Sequence, residues 1–150
     1  MGLKDTINQN MKAAMKAKDQ AALRTLRAIK SAILVLETAE GRKGAALSEE
    51  EELKLLMKQA KQRKDSLEQY EKNGREDLAL IEKEELAVIE QYLPKQLSEE
   101  DVKSKVQEII TQTGASSMKD MGRVMGQATK ALAGKADGKM ISKLVKEILS

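Results

Sequence analysis

The chain has no cysteine and no histidine among its 150 residues. Their absence excludes disulfides, thiol nucleophiles, zinc sites with soft ligands, and the side chain that most often moves protons near neutral pH. The sequence also has no nucleophile elbow and no P-loop pattern. Glu84 and Glu85 are adjacent on a predicted helix, so their carboxylates do not face each other. We therefore predict no catalytic residue, no metal site and no small-molecule cofactor.

Aromatic residues are almost absent, since the only ones are Tyr70 and Tyr92. The core must then be built from Leu, Ile, Val, Ala and eight Met, a composition that disfavours a sheet. Proteins that hold unstacked bases usually stack them on aromatic faces, and none follows Tyr92. Any RNA partner is therefore expected to be recognised by its folded shape and its phosphates.

Proline occurs once, at Pro94, so other residue types must set the element boundaries. Apolar residues recur at helical spacing along the chain, which predicts four helices before Pro94 and three after it. A residue that can cap a helix N-terminus precedes the predicted second, third, fifth, sixth and seventh helices. These capping residues are Asp19, Ser48, Ser98, Ser117 and Asp137. Residues 93–97 are predicted to be a linker.

No stretch of apolar residues is long enough to cross a bilayer, and the N-terminus has no apolar region typical of a signal peptide. These absences predict a cytoplasmic protein with no membrane partner.

Positive charge is concentrated near the C-terminus. Residues 119–146 contain seven cations and two acids, a net charge of +5, whereas the whole chain carries +3. A basic surface of this kind suits the phosphates of a nucleic acid. The alternative is a solvated basic face with no partner. The predicted phosphate contacts are Lys119, Arg123, Lys130, Lys135, Lys139 and Lys143.

The segment Gly134–Lys139 is the most distinctive part of this basic region. A Gly-rich loop that opens a helix presents backbone N–H groups and the positive end of the helix dipole to an anion. If Asp137 is the N-cap, however, its carboxylate already occupies one of those donors. The loop is therefore expected to contribute to a surface for a polyanion and not to a pocket for a small anion.

Gly122 and Gly126 lie one turn apart inside the predicted sixth helix, where each costs about 1 kcal/mol relative to Ala. Close approach of another helix, or of a ligand's backbone, would offset that cost. Helix packing is the expected explanation, and the neighbouring Met118, Met121 and Met125 are expected to fill the core.

Three segments together resemble the YqeY-like family, and the similarity extends over nearly the whole chain. They are Tyr92–Ser98, Asp120–Gly126 and Gly134–Lys139. The C-terminal part is similar to the tail domain of the B subunit of the tRNA-dependent amidotransferase, in which a Gly-x-Val-Met segment precedes Gly-Lys-Ala-Asp. The corresponding residues here are Gly122, Val124 and Met125, then Gly134, Lys135, Ala136 and Asp137.

The resemblance implies an all-α protein, with an N-terminal four-helix bundle over residues 1–93 and a C-terminal three-helix bundle over residues 94–150. It also implies tRNA, or another structured RNA, as the partner of the tail. The chain lacks the catalytic domain of the amidotransferase subunit and any amidase motif. The main expectation is thus a non-catalytic tRNA-binding or tRNA-directed accessory protein.

Two other functions are kept as alternatives. One is a helical adaptor that binds a protein partner through exposed apolar residues. The less favoured one is a carbon–nitrogen ligase, an amidotransferase with glutamine as amide donor.

Overall fold

The computed structural model describes residues 2–150, and within that range it contains seven α-helices and no strand. The predicted all-α class is confirmed. The helices are α1 (Leu3–Ala17), α2 (Gln20–Glu37), α3 (Glu49–Lys72), α4 (Glu76–Glu90), α5 (Glu99–Thr113), α6 (Met121–Ala131) and α7 (Gly138–Leu149). No helix in the described residues is long and apolar enough to cross a membrane.

Most of the predicted capping residues begin their helices. The Asp19 carboxylate accepts a hydrogen bond from the Ala22 N–H at the start of α2. Ser48 and Glu51 form a reciprocal capping box at the start of α3, each side chain accepting from the other's backbone N–H. The sixth helix differs from the prediction, because a 3-10 turn at Met118–Asp120 follows Ser117 and α6 begins only at Met121.

The chain forms two compact units, Met1–Leu93 and Pro94–Ser150. In the first unit, α3 and α4 pack against each other as a helical hairpin, and Gly74 at the turn has a φ of 68° that suits glycine. Helix α1 has no side-chain cap of its own. Its Leu3 N–H instead donates to the Glu52 carboxylate of α3 at 2.9 Å, which joins α1 to the hairpin.

The first unit has a core made by α1, α2, α3 and α4. Its fully buried members include Ile7, Leu26, Ile29, Ile33 and Ile89. One charged side chain also lies inside, since Glu37 is only 7% exposed and accepts from Lys4 at 2.9 Å. A buried carboxylate without such a partner would be strongly destabilising, so Lys4 fixes how α1 packs on α2.

The second unit has a separate core made by α5, α6 and α7. Its buried side chains are Val102, Val106, Ile109, Val124, Ala128, Leu132, Ala136, Ile141, Leu144, Val145 and Leu149. The prediction that Met118 fills this core is wrong, because its side chain is 45% exposed. Met121 and Met125 are half-buried at the core's edge. Val124 and Ala128 occupy the centre of the α6 face, where small and branched side chains allow close packing.

Leu144→Ala tests the second core, because Leu144 is 1% exposed. We expect the free energy of unfolding to fall by about 2 to 5 kcal/mol, since the change removes buried methyl groups and leaves a cavity. Urea denaturation followed by circular dichroism measures it. Met118→Ala is the matched control, and an equal loss in both variants would contradict the assignment of the core.

Candidate nucleic-acid interface

All six predicted phosphate contacts are exposed. Arg123 and Lys130 lie on α6, and Lys139 and Lys143 lie on α7. Lys119 lies in the 3-10 turn and Lys135 in the loop that joins the two helices. Helices α6 and α7 pack against each other, so the second unit brings both basic helices into one small bundle.

The basic residues of each helix lie opposite its buried face. On α7, Lys139, Lys143 and Lys146 are exposed, whereas Ile141 and Val145 are buried. This arrangement is a single exposed lysine stripe along the helix.

Helix α6 has the same organisation. Arg123 and Lys130 are seven residues apart, which places them within about 20° of each other around the helix. Both are exposed, whereas Val124 and Ala128 are buried. Each helix therefore presents its cations to solvent.

The net charge of the chain resides in the second unit. Residues 94–150 contain ten cations and seven acids, which gives +3. Residues 1–93 contain seventeen of each, which gives zero. The field that would attract a polyanion therefore originates from the second unit.

Four of the seven cations in residues 119–146 have no acidic partner among the described residues. Lys119, Lys130, Lys135 and Lys146 form no salt bridge with any described residue. Arg123 lies 3.3 Å from Asp120, and Lys143 lies 3.6 Å from Glu99 of α5. The Lys143–Glu99 pair is exposed, and in the other pair Arg123 is exposed and Asp120 half-buried. Pairs in contact with solvent contribute at most about 1 kcal/mol, so phosphates can compete for these cations.

The loop that carries Lys135 is held by the segment just before α5. The Leu97 N–H donates to the Lys135 carbonyl at 2.9 Å, and the Gln96 side-chain amide donates to the Gly134 carbonyl at 2.6 Å. Gly134 itself has a φ of 75°. Residues 93–97 are therefore more than the predicted linker, because two of them fix this loop.

Asp137 caps α7 as predicted, with its carboxylate accepting from the Lys139 N–H at 3.0 Å. The neighbouring Ala136 is 8% exposed and packs into the core. One donor at this helix N-terminus is thus already bonded. The loop contributes lysine side chains to a surface, and the geometry does not favour a closed cradle for a small anion.

Gly122 and Gly126 are both exposed, and a Cβ added at either would meet no heavy atom within 4 Å. The expectation that another helix packs closely on them is wrong for the part of the chain that is described. Their side of α6 is bare backbone beside Arg123 and Lys130. The helix is therefore accessible there without obstruction by side chains.

Asp120 organises the start of α6. Its carboxylate accepts from the Ser116 N–H at 3.0 Å and from Arg123 at 3.3 Å. The backbone hydrogen bond from Ser116 is the main cause that lowers the pKa of this carboxyl below its ordinary value, and the charge of Arg123 acts in the same direction. Arg123 is thus held near the first turn of the helix.

Comparison with known proteins places these features in a family. A family model described as "Yqey-like protein" matches residues 4–149. A protein of Clavispora lusitaniae, "Altered inheritance of mitochondria protein 41, mitochondrial", is 31% identical over 87% of this chain and 76% of its own length. A protein of the same name from Lachancea thermotolerans is 34% identical over 74% of this chain, which spans 59% of that relative. The predicted family resemblance is confirmed.

No group of three or more Asp, Glu, His or Cys residues within residues 2–150 is placed to hold a metal ion.

Asp120→Asn tests the pH dependence of the α6 start. The pKa of the Asp120 carboxyl is lower in the folded chain than in the unfolded chain, so the unfolded chain binds this proton more readily. The ionised carboxylate therefore stabilises the fold above about pH 4, and this stabilisation is lost as the pH falls through the folded pKa. We expect the free energy of unfolding to fall less steeply below pH 4 in the variant. Urea titrations at several pH values measure it, and identical slopes would contradict this role.

Proposed function

We propose that this chain, which belongs to the YqeY-like family, binds tRNA or another structured RNA as a non-catalytic accessory protein. The observation that carries the proposal is the concentration of the entire net charge on the second unit, with the cations of α6 and α7 exposed. Lysines and arginines that neutralise phosphates supply most of the affinity for nucleic acids.

The character of the surface favours folded RNA over single strands. No aromatic side chain is present in the second unit, so unstacked bases have no ring on which to stack. Long cationic side chains on rigid helices can instead contact phosphates at the spacing that a folded RNA imposes. Lys119, Lys130 and Lys135 suit this role, since no described acid neutralises them.

Gly122 and Gly126 support the same proposal. Gly126 lies inside α6 and Gly122 in its first turn, so together they lower the stability of the helix by at most about 2 kcal/mol relative to alanine, and no described residue packs against them to offset this. A ligand backbone that approaches the bare side of α6 would offset it. We therefore propose that the RNA backbone contacts α6 between its two glycines.

A cytoplasmic location is part of the proposal, although both relatives have "mitochondrial" in their printed names.

Amide transfer with glutamine as donor is less favoured, since no constellation of catalytic side chains supports it. Exposed apolar side chains on α4 favour a second function, protein binding, that does not depend on RNA.

The double variant Lys130→Glu, Lys135→Glu should weaken tRNA binding, because it replaces two unpaired cations with anions. A filter-binding series over several salt concentrations measures this. For the natural chain, log K should fall by about 0.7 to 0.9 per log unit of salt for each phosphate neutralised. The variant should lower this slope by about 1 for each phosphate that it no longer neutralises.

The matched control is Lys12→Glu, Lys16→Glu, which makes the same change in charge on exposed positions of α1. It should bind tRNA with nearly the natural affinity. An equal loss of affinity in both variants would show an unspecific charge effect, and an affinity independent of salt would contradict the proposal.

Gly122→Ala with Gly126→Ala separates stability from binding. The added methyl groups meet open space, so helix propensity should raise the free energy of unfolding by about 1 kcal/mol at Gly126 and by less at Gly122 in the first turn. The same methyl groups should obstruct the approach of the RNA backbone to α6 and so weaken tRNA binding. Ser104→Ala on the exposed side of α5 is the control, and unchanged tRNA affinity in the glycine variant would refute the α6 contact.

A further inference from the structure

Helix α4 leaves two large apolar side chains in solvent. Leu80 is 56% exposed and Ile81 is 39% exposed, although Ala79 and Ile89 of the same helix are buried. The two residues are consecutive and point about 100° apart around the helix, so they border one partly apolar sector of its exposed side, called here the patch. The first unit therefore buries one face of α4 and leaves the opposite face partly apolar.

Carboxylates surround this apolar patch. Asp77 and Glu84 lie three or four residues from Leu80 and Ile81, so they are its neighbours along the helix surface. Helix α4 carries six acids and one cation. Those acids are Glu76, Asp77, Glu82, Glu84, Glu85 and Glu90.

Two arginines from other helices neutralise only part of this charge. Arg24 of α2 lies 3.4 Å from both Glu84 and Glu85, and Arg63 of α3 lies 3.3 Å from Glu85. With these two arginines, Arg75 and Lys83 counted against the six acids, a net charge of −2 remains around α4. The surface is thus opposite in sign to the second unit.

A groove adjoins the patch on the side of α3. It has a volume of about 720 Å³, and its lining residues are Glu71, Glu76, Asp77, Ala79, Leu80 and Lys83. Glu71 pairs with Lys83 at 3.5 Å and Asp77 pairs with Arg75 at 3.2 Å. Glu76 forms no salt bridge with any described residue, so it is available to a cation from outside.

We propose that this groove and the Leu80–Ile81 patch bind a cationic amphipathic helix of a partner protein. Such a helix presents an apolar stripe, made by side chains at i, i+3 and i+4, that can contact Leu80 and Ile81. Its Lys and Arg side chains then face Glu76, and they compete with Arg75 and Arg24 for Asp77 and Glu84. The complementary charge provides orientation and a faster association, while the apolar contact provides most of the affinity.

The chemistry of the patch disfavours other ligands. RNA is repelled by a surface with a net negative charge. The described acids are not grouped to hold a metal ion. An acidic partner protein would meet more carboxylates than cations here, so a cationic helix is the ligand that this surface fits.

The experiment uses a fluorescein-labelled peptide of leucine and lysine, with leucine at helical spacing, and measures anisotropy against the full chain. We expect saturable binding, and no binding of the same peptide with glutamate in place of lysine. Leu80→Gln with Ile81→Gln should lower the affinity for the lysine peptide by about tenfold, since it removes the apolar contact. Asp77→Asn with Glu84→Gln should also lower the affinity for this peptide and make the affinity less dependent on salt.

The matched control is Leu34→Gln with Val35→Gln, an apolar pair of the same unit that is 39% and 67% exposed. It should leave peptide affinity unchanged. Equal losses of affinity in the two variant pairs would overturn the proposal. Loss of self-association in Leu80→Gln, Ile81→Gln, measured by sedimentation, would also overturn it in favour of a second copy.

This proposal is independent of RNA binding. Leu80→Gln with Ile81→Gln should retain tRNA affinity, and Lys130→Glu with Lys135→Glu should retain peptide affinity. Either proposal can therefore be refuted without affecting the other.

Discussion

The hydrogen bonds between the residues before α5 and the α6–α7 loop are the constraint on which the proposed RNA surface depends. Leu97 and Gln96 bond the carbonyls of Lys135 and Gly134, and Asp137 caps α7 immediately afterwards. Because the loop backbone is fixed at both ends, the positions of the cations on α6 and α7 are fixed relative to one another. A rigid arrangement reduces the conformational entropy that the protein gives up when a polyanion binds.

Charge is distributed so that the chain offers two chemically distinct surfaces. The second unit carries all of the net positive charge, and its cations project from the outer faces of packed helices. The first unit is neutral in total, yet α4 concentrates carboxylates around an exposed apolar pair. We propose phosphates as the ligand of one surface and a basic helix as the ligand of the other. An accessory protein that joins an RNA to a protein would need both.

Local signals made much of the fold predictable. Asp19, Ser48, Ser98 and Asp137 bond the backbone close to themselves, so their roles depend on neighbouring residues alone. The exposure of the lysines on α7 followed from helical periodicity. The bond from Gln96 to Gly134 spans 38 residues, and no local pattern indicates it. The open side of α6 at Gly126 was also missed, because a glycine is compatible with either close packing or exposure.

The most direct test of RNA binding is to locate the bound surface on the 150-residue chain. Backbone amide shifts of the isotope-labelled protein would be recorded by NMR during titration with tRNA. Binding through the second unit predicts saturable shifts confined to the exposed residues of α6 and α7 and to residues 132–137, with α4 unaffected. Shifts centred on the first unit, or none at tRNA concentrations that saturate filter binding, would contradict it.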